Sequence, residues 1–116
     1  MLHQPRRRRR STCLQALEAF RRAAPRGGLT ELLAFLYVCE NEGVNVRELA
    51  QLCAIPPLAA SRAARALSAP GGGGLIELRR NPSDYRSRTL HLTEPGRALR
   101  EQVDEAVIDA VRIQHP

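Results

Sequence analysis

Residues 75–96, LIELRRNPSDYRSRTLHLTEPG, decide the fold of this chain. Apolar and polar residues alternate on both sides of the run NPSD at 81–84. This period of two predicts two antiparallel strands joined by a short turn. Thr93 can cap a following helix, and Pro95 needs no N–H in its first turn. Around its turn the hairpin carries four arginines, which are Arg79, Arg80, Arg86 and Arg88. So much positive charge must face water or a polyanion.

Residues 45–68, NVRELAQLCAIPPLAASRAARALS, predict two helices joined by a tight turn. Asn45 followed by Glu48 is a capping-box pattern for a helix that ends near residue 53. Pro56 or Pro57 can start the next helix. Its predicted inner face is made of small apolar residues: Ala60, Ala63, Ala64 and Leu67. Its outer face carries little bulk, so this helix can enter a major groove about 12 Å wide.

These two segments resemble the winged helix-turn-helix of MarR-type (multiple antibiotic resistance regulator) proteins. Asp84-Tyr85-Arg86-Ser87 matches the Asp-x-Arg-small pattern of their wing, and Leu92 to Gly96 matches the Leu-Thr-x-x-Gly pattern that follows it. The resemblance covers about residues 29–113. It implies a mostly α fold with a small antiparallel β-hairpin wing, which is a winged helix-turn-helix. The helix-turn-helix would be residues 45–68 and the wing residues 75–92.

The resemblance also implies which residues contact DNA. In the family, the recognition helix enters the major groove and the wing arginine reaches the minor groove. Carried over by position, the recognition-helix contacts are Leu58, Ala59, Ser61, Arg62 and Arg65, and the wing-tip contact is Arg86. Arg79, Arg80 and Arg88 surround that tip. Asp84 lies two residues before Arg86, so we expect its carboxylate to pair with the guanidinium and orient it.

Two features depart from the family pattern. Gly71–Gly74 stands where the family usually has one glycine, and four glycines hold no fixed conformation. We therefore expect the angle between wing and recognition helix to be loosely set. The chain also lacks room for the further C-terminal helix that is common in the family, which predicts a smaller and weaker dimer.

Two terminal helices, at 12–24 and 94–113, are predicted to form that dimer. Leu14, Leu17 and Phe20 form one stripe on the first. On the last, a seam with steps of 4, 3, 4 and 3 is formed by Leu99, Val103, Ala106, Ala110 and Ile113. Because family members dimerise through terminal helices, a homodimer is implied. Between them, residues 31–41 predict a central helix that is apolar all round, with Thr30 as its cap. A buried strand is the competing interpretation.

Composition and charge limit the possible number of domains and the possible location of the protein. The 116 residues suit a single domain at 11–116 after an Arg-rich arm at 1–10, which we expect to be disordered. That arm is either a solvated leader or a segment that lies along phosphates. Of the net charge of +6, residues 45–93 carry +4, from seven arginines and three acidic residues. No membrane span or secretory signal is present, and three unpaired cysteines suggest a cytoplasmic protein.

Little in the sequence suggests an enzyme. The three histidines have no metal-ligand spacing, and no cofactor motif or catalytic arrangement is visible, so we expect no metal, no cofactor and no catalysis. Cys13 lies in the first helical turn beside five arginines, and both effects lower the pKa of a thiol. It is therefore either a redox sensor or an ordinary surface thiol. Cys39 and Cys53 lie on apolar helix faces and are interpreted as core residues.

The sequence as a whole favours a regulator of transcription that binds duplex DNA. Aromatic residues are scarce, with two Phe and two Tyr, and single-strand binders need stacking platforms. We expect a homodimeric repressor on a pseudo-palindromic operator, with a small-molecule effector as a further partner implied by the family. One alternative is a protein interaction module whose DNA face is vestigial. Another is a repressor that responds to oxidation through Cys13.

Overall fold

The computed structural model describes residues 12–114, and within them lie five α-helices and a two-stranded antiparallel sheet. The helices are α1 (Thr12–Ala23), α2 (Leu29–Glu40), α3 (Val46–Cys53), α4 (Pro57–Ser68) and α5 (Glu94–Gln114). The strands are β1 (Ile76–Asn81) and β2 (Asp84–Leu92). The mostly α fold with a hairpin wing is confirmed. The predicted arm at 1–10 lies outside the described residues. None of the described helices is both long and apolar enough to span a membrane.

The antiparallel hairpin that the sequence pattern predicts is confirmed. Ile76 lies opposite Leu92, and Leu78 lies opposite Leu90. Except for Leu78, which is half-buried, these side chains belong to the buried core, so one face of the hairpin packs on the helices. The strands run further than expected, to Asn81 and from Asp84, because the side chains of the predicted loop close the turn themselves. Asn81 Oδ1 accepts a hydrogen bond from the Ser83 N–H at 3.0 Å.

A short segment before α3 also pairs with β2, which the sequence pattern did not predict. The Gly43 N–H donates to the Leu90 carbonyl at 2.8 Å, and the Leu90 N–H donates to the Val44 carbonyl at 2.8 Å. Asn45 forms an isolated antiparallel bridge with Thr89. This pairing fixes the beginning of α3 against the wing.

The second helix forms the centre of the core but differs from its prediction at two points. It begins at Leu29, after the N-cap residue Gly28, so Thr30 lies inside the helix and does not cap it. The expectation that it is apolar all round and buried is also too broad. Phe35 and Val38 are fully buried, whereas Leu33 on the opposite side is exposed. One face of α2 is therefore buried in the core, and the opposite face is exposed.

The glycine run is ordered, which corrects the expectation of a loose link. Pro70–Gly72 form a 3-10 turn, and the Gly74 N–H donates to the Ala69 carbonyl at 3.0 Å. The Leu75 N–H then bonds to the Leu67 carbonyl at 2.8 Å, which ties the beginning of β1 to the last turn of α4. A Cβ atom at Gly72 would overlap the Ala66 carbonyl. The glycines thus allow close packing, and the backbone hydrogen bonds determine their conformation.

The predicted cap of the last helix is confirmed. Thr93 Oγ1 accepts a hydrogen bond from the Gly96 N–H at 3.1 Å and donates one to the Gly74 carbonyl at 2.5 Å. Thr93 therefore joins the beginning of α5 to the end of the glycine run. From there α5 packs along α1, and Phe20 and Leu99 are buried in the core that these helices share with α2.

Candidate nucleic-acid interface

The helix-turn-helix has the geometry that its sequence predicts. Glu48 N–H donates to Asn45 Oδ1 at 2.8 Å, and the Asn45 N–H donates to Glu48 Oε1 at 3.0 Å, so the capping box is complete. The helix ends at Cys53, and its C-cap residue Ala54 has a left-handed φ of 55°. The Ile55 N–H closes this turn on the Ala50 carbonyl at 3.0 Å. Pro57 then occupies the first turn of α4, where a missing N–H costs nothing.

The recognition helix α4 buries one face and exposes the other, as predicted. The buried residues are Ala60, Ala63, Ala64 and Leu67. Because three of them are alanines, the helix lies close to the core, and the opposite face projects from the surface. Leu58, Arg62 and Arg65 are exposed there, while Ala59 and Ser61 are partly covered. The face predicted to contact DNA is therefore accessible in this chain.

A groove of about 570 Å³ separates the recognition helix from the wing. Four guanidinium groups line it: Arg47 from α3, Arg65 from α4, and Arg86 and Arg88 from β2. Asp84 is the only acidic residue among the lining residues of this groove. The other lining residues are Asn45, Val46, Ser61, Ala64, Leu78 and Ser87. A concave surface with this excess of fixed positive charge attracts an anion such as the DNA backbone.

The Asp84 carboxylate has a different role from the one expected. Its Oδ1 accepts a hydrogen bond from the backbone N–H of Arg86 at 3.0 Å. A pair with the Arg86 guanidinium is not among the ion pairs of the described residues. A short acidic side chain that bonds the N–H two residues ahead stabilises the local backbone conformation. Asp84 therefore shapes the backbone at the wing tip, and the Arg86 side chain is exposed.

The predicted wing arginines fall into separate groups. Arg86 and Arg88 line the groove. Arg79 is instead held by Glu77, its neighbour on the same side of β1, through Nε at 2.7 Å and a second contact from Nη2. Arg80 is exposed and lies opposite Arg88 across the strands. Of the four, Arg86 and Arg88 thus have the most direct position for an anion in the groove.

Arg47 is a candidate contact that the sequence interpretation missed. It follows Val46 in the first turn of α3, and its side chain is exposed. Nothing in the local pattern places this helix beside the wing. That placement depends on the bridge between Asn45 and Thr89, which are 44 residues apart in the chain. Its only sequence signal was a basic residue on the polar side of the first helix of a helix-turn-helix.

The residues predicted to form the dimer are divided between the core and the surface. Phe20, Leu99 and Ala106 are buried within this chain, and Val103 packs against its core. Leu14 and Leu17 remain 45% and 43% exposed on α1. Val107 and Ile108, which the heptad pattern did not select, are exposed on α5. The side chains of Ala110 and Ile113 lie outside the described residues. The dimer therefore stays a prediction, and its available apolar residues are Leu14, Leu17, Val107 and Ile108.

The three cysteines differ in their surroundings. Cys13 is exposed on α1, so a thiol reagent or an oxidant can reach it. Cys39 is half-buried, and desolvation raises its pKa to about 11, so at neutral pH it is a protonated, weakly reactive thiol. Burial also raises the pKa of Cys53. In the part of the chain that the structure describes, no group of three His, Cys, Asp or Glu side chains is placed to hold a metal ion.

Comparison with solved structures identifies the architecture, although no family model and no curated protein matches the chain. A MarR transcriptional regulator from Methanosarcina mazei Go1 is 19% identical, with a TM-score of 0.67 over 87% of this chain and 69% of that one. The MepR–DNA complex of S. aureus is 18% identical, with a TM-score of 0.71 over 89% of this chain and 78% of that one. The repressor CouR, bound to a 23-mer DNA duplex, is 27% identical, with a TM-score of 0.62 over 89% of this chain and 73% of that one. Together with the order of the helices and the wing, these similarities show that the chain has the winged helix-turn-helix fold of the MarR-family transcriptional regulators.

Proposed function

We propose that this chain binds duplex DNA and regulates transcription. The observation that carries the proposal is the groove between α4 and the wing, where Arg47, Arg65, Arg86 and Arg88 converge beside an exposed recognition helix. Within the described residues, none of these four guanidiniums forms an ion pair. A folded chain gains no evident stability from gathering four unneutralised cations, whereas phosphates would neutralise them. Two solved structures with this fold, CouR and MepR, are bound to DNA.

A salt titration tests this proposal. If each subunit of a dimer neutralises about three to five phosphates, log K should fall against log salt concentration with a slope of about −5 to −9. Arg86→Gln should weaken binding to all duplexes and reduce the slope by about 0.9 for each subunit, because one phosphate contact is lost. Arg22→Gln is the matched control, since Arg22 lies on α1 and pairs there with Glu18 at 3.7 Å. A flat salt response of the unmodified protein would refute DNA binding. Equal effects of the two variants would remove the wing from the mechanism.

We further propose that the regulator is a homodimer and a repressor. Four exposed apolar side chains on α1 and α5 (Leu14, Leu17, Val107 and Ile108) support self-association through the terminal helices. Two recognition helices related by a two-fold axis would bind half-sites about one helical turn apart. Occupation of such an operator blocks the polymerase sterically, and an effector that changes the spacing of the two helices would release it.

Sedimentation of variants tests the dimer independently of DNA. Leu17→Glu and Ile108→Glu should each shift the protein toward the monomer, because they place a charge within the proposed apolar contact. Leu29→Glu is the control, since Leu29 is also exposed but lies at the beginning of α2. A monomeric unmodified protein, or a dimer that survives both changes, would contradict the proposed interface. Transcription from a promoter that contains the bound site then measures the sign of regulation.

The alternatives predict different results in the same experiments. A protein interaction module would show no DNA retardation at low salt and would co-purify with a stoichiometric protein partner. A redox-responsive repressor would lose DNA binding on treatment with peroxide, and Cys13→Ser would abolish that loss. The exposure of Cys13 is consistent with the redox alternative, since an oxidant can reach the thiol.

A further inference from the structure

Leu58 is a large apolar side chain that does not belong to the buried core. It is the second residue of α4, and 61% of its surface is exposed. The neighbouring buried positions of this helix are filled by Ala60, Ala63 and Ala64. A leucine on the outer side therefore contributes little to the core, and it exposes apolar area to water at the end of the helix that leads into the groove of DNA.

The outer face of α4 is divided by its relation to the wing. Ser61 and Arg65 line the basic groove beside Arg86 and Arg88, where the chemistry suits phosphate. Leu58 and Arg62 are not among the lining residues of that groove, although both are exposed. They are four residues apart and thus share one side of the helix. This pair is exposed on the outer face of the recognition helix, outside the basic groove.

We propose that Leu58 reads the C5-methyl group of a thymine, and that Arg62 reads a guanine close to it in the same half-site. The inference rests on the proposed DNA binding and specifies its target. An apolar side chain gains nothing from a phosphate, and the thymine methyl is the apolar group that the major groove presents. Arg62 carries the guanidinium that matches guanine O6 and N7 in bidentate fashion.

The spacing of the two residues limits the distance between the two bases. Four residues of helix rise about 6 Å. Successive base pairs rise about 3.4 Å. The thymine and the guanine should therefore lie within about two base pairs of each other. Ala59, which lies between Leu58 and Arg62 in the sequence, has no long side chain that could contact a third specific base.

An exposed leucine can also mark a contact with another protein, and Leu52 of α3 is exposed as well. The observations favour DNA because the side that carries Leu58 continues into Arg62 and is flanked by the basic groove. A protein partner that bound Leu58 would also have to accommodate these cations in the interface. DNA binding and protein binding through Leu58 make different predictions, because only DNA binding would depend on a single thymine methyl group.

Base-analogue substitution tests the inference directly. A preferred duplex is first selected from a pool of random sequences, and each thymine of the half-site is then replaced by deoxyuridine, which lacks only the methyl. One such replacement should weaken binding of the unmodified protein about three- to fivefold per half-site. Leu58→Ala should bind the thymine duplex more weakly and no longer distinguish it from the deoxyuridine duplex. Leu52→Ala is the matched control and should keep the full sensitivity.

The guanine is tested with 7-deazaguanine, which removes the N7 acceptor. The unmodified protein should lose affinity for one such duplex, and Arg62→Gln should not respond to the same change. Circular dichroism of each variant confirms that it folds.

The outcomes separate this inference from the proposed function. Absence of salt-dependent binding to any duplex would defeat the proposed function and this inference with it. Normal binding without sequence preference, or without any effect of deoxyuridine, would overturn the inference alone. It would be overturned as well if Leu58→Ala stayed as sensitive as the unmodified protein. It would equally fail if Leu58→Ala left DNA binding unchanged but removed a protein partner, since Leu58 would then serve a protein surface.

Discussion

Arg80 and Arg88 lie directly opposite each other in the wing hairpin. Like charges at opposed positions of an antiparallel pair destabilise the pair, and a two-stranded hairpin has little stability to lose. The chain places this repulsion at the edge of a groove that already contains three further arginines, Arg47, Arg65 and Arg86. A bound polyanion would neutralise part of this positive charge.

Replacing Arg88 with glutamine should therefore affect the stability of the fold and the affinity for DNA differently. We expect Arg88→Gln to leave the free energy of unfolding unchanged or to raise it by up to about 1 kcal/mol, because the opposed charge is removed. The same change should weaken DNA binding and its salt dependence, because one groove cation is lost. Thermal denaturation and fluorescence anisotropy measure the two effects. A less stable protein with unaltered DNA affinity would show that Arg88 has a structural role instead.

Two adjacent glycines should respond differently to the same substitution. Gly72→Ala should lower the free energy of unfolding by about 1–3 kcal/mol, because its Cβ would overlap the Ala66 carbonyl. At Gly71 an added Cβ has no neighbour within 4 Å. Gly71→Ala should therefore be neutral or stabilise the protein by up to about 1 kcal/mol, because alanine lowers the conformational entropy of the unfolded chain. Urea denaturation of the two variants decides the matter, and equal stabilities would mean that the run is not packed as described.

Glu42 connects the base of the wing to the last helix. Its Oε2 accepts the Leu92 N–H at 3.0 Å and lies 3.6 Å from Arg97 Nη2. Glu42→Ala should lower the free energy of unfolding by about 1 kcal/mol and accelerate hydrogen exchange of the Leu92 amide. Glu77→Ala loses only an exposed pair with Arg79, so a change below about 0.5 kcal/mol is expected. Undiminished protection of Leu92 in Glu42→Ala would rule out this connection.

The cysteines should react with thiol reagents in an order set by their surroundings. Burial raises the pKa of Cys39 to about 11, so the thiolate is scarce at pH 8 and its fraction grows about tenfold per pH unit up to that value. The labelling rate of a variant that retains only Cys39 should rise accordingly. A variant that retains only Cys13 should react readily at pH 8, since that side chain is exposed. Rapid labelling of Cys39 at neutral pH would indicate that this region opens.

Local patterns predicted the local features of this fold well. The capping box of Asn45 and Glu48, the four buried positions of α4 and the cap by Thr93 depend on residues within a few positions of each other. Features that depend on distant pairing were missed. Arg47 reaches the groove because the segment before α3 pairs with β2, and no periodicity records such a contact.

Contacts that a local pattern does not record also changed the surroundings of several predicted residues. On α5, Leu99 and Ala106 of the predicted dimer seam are buried within this chain, and the dimer itself stays a prediction. The pattern identifies an apolar stripe without naming what covers it. Likewise, composition alone predicted a loose glycine run, whereas the carbonyls of Ala69 and Leu67 hold it. Asp84 was expected to bond a side chain and bonds a nearer backbone N–H instead.

The bond from Leu75 to Leu67, together with the packing of Gly72 on Ala66, ties the recognition helix directly to the beginning of the wing. We therefore expect a displacement of the recognition helix to move the wing with it. In the proposed repressor, an effector that releases DNA would then tilt the recognition helix and the wing together against α1 and α5, and the extra glycines would not act as the hinge of that motion.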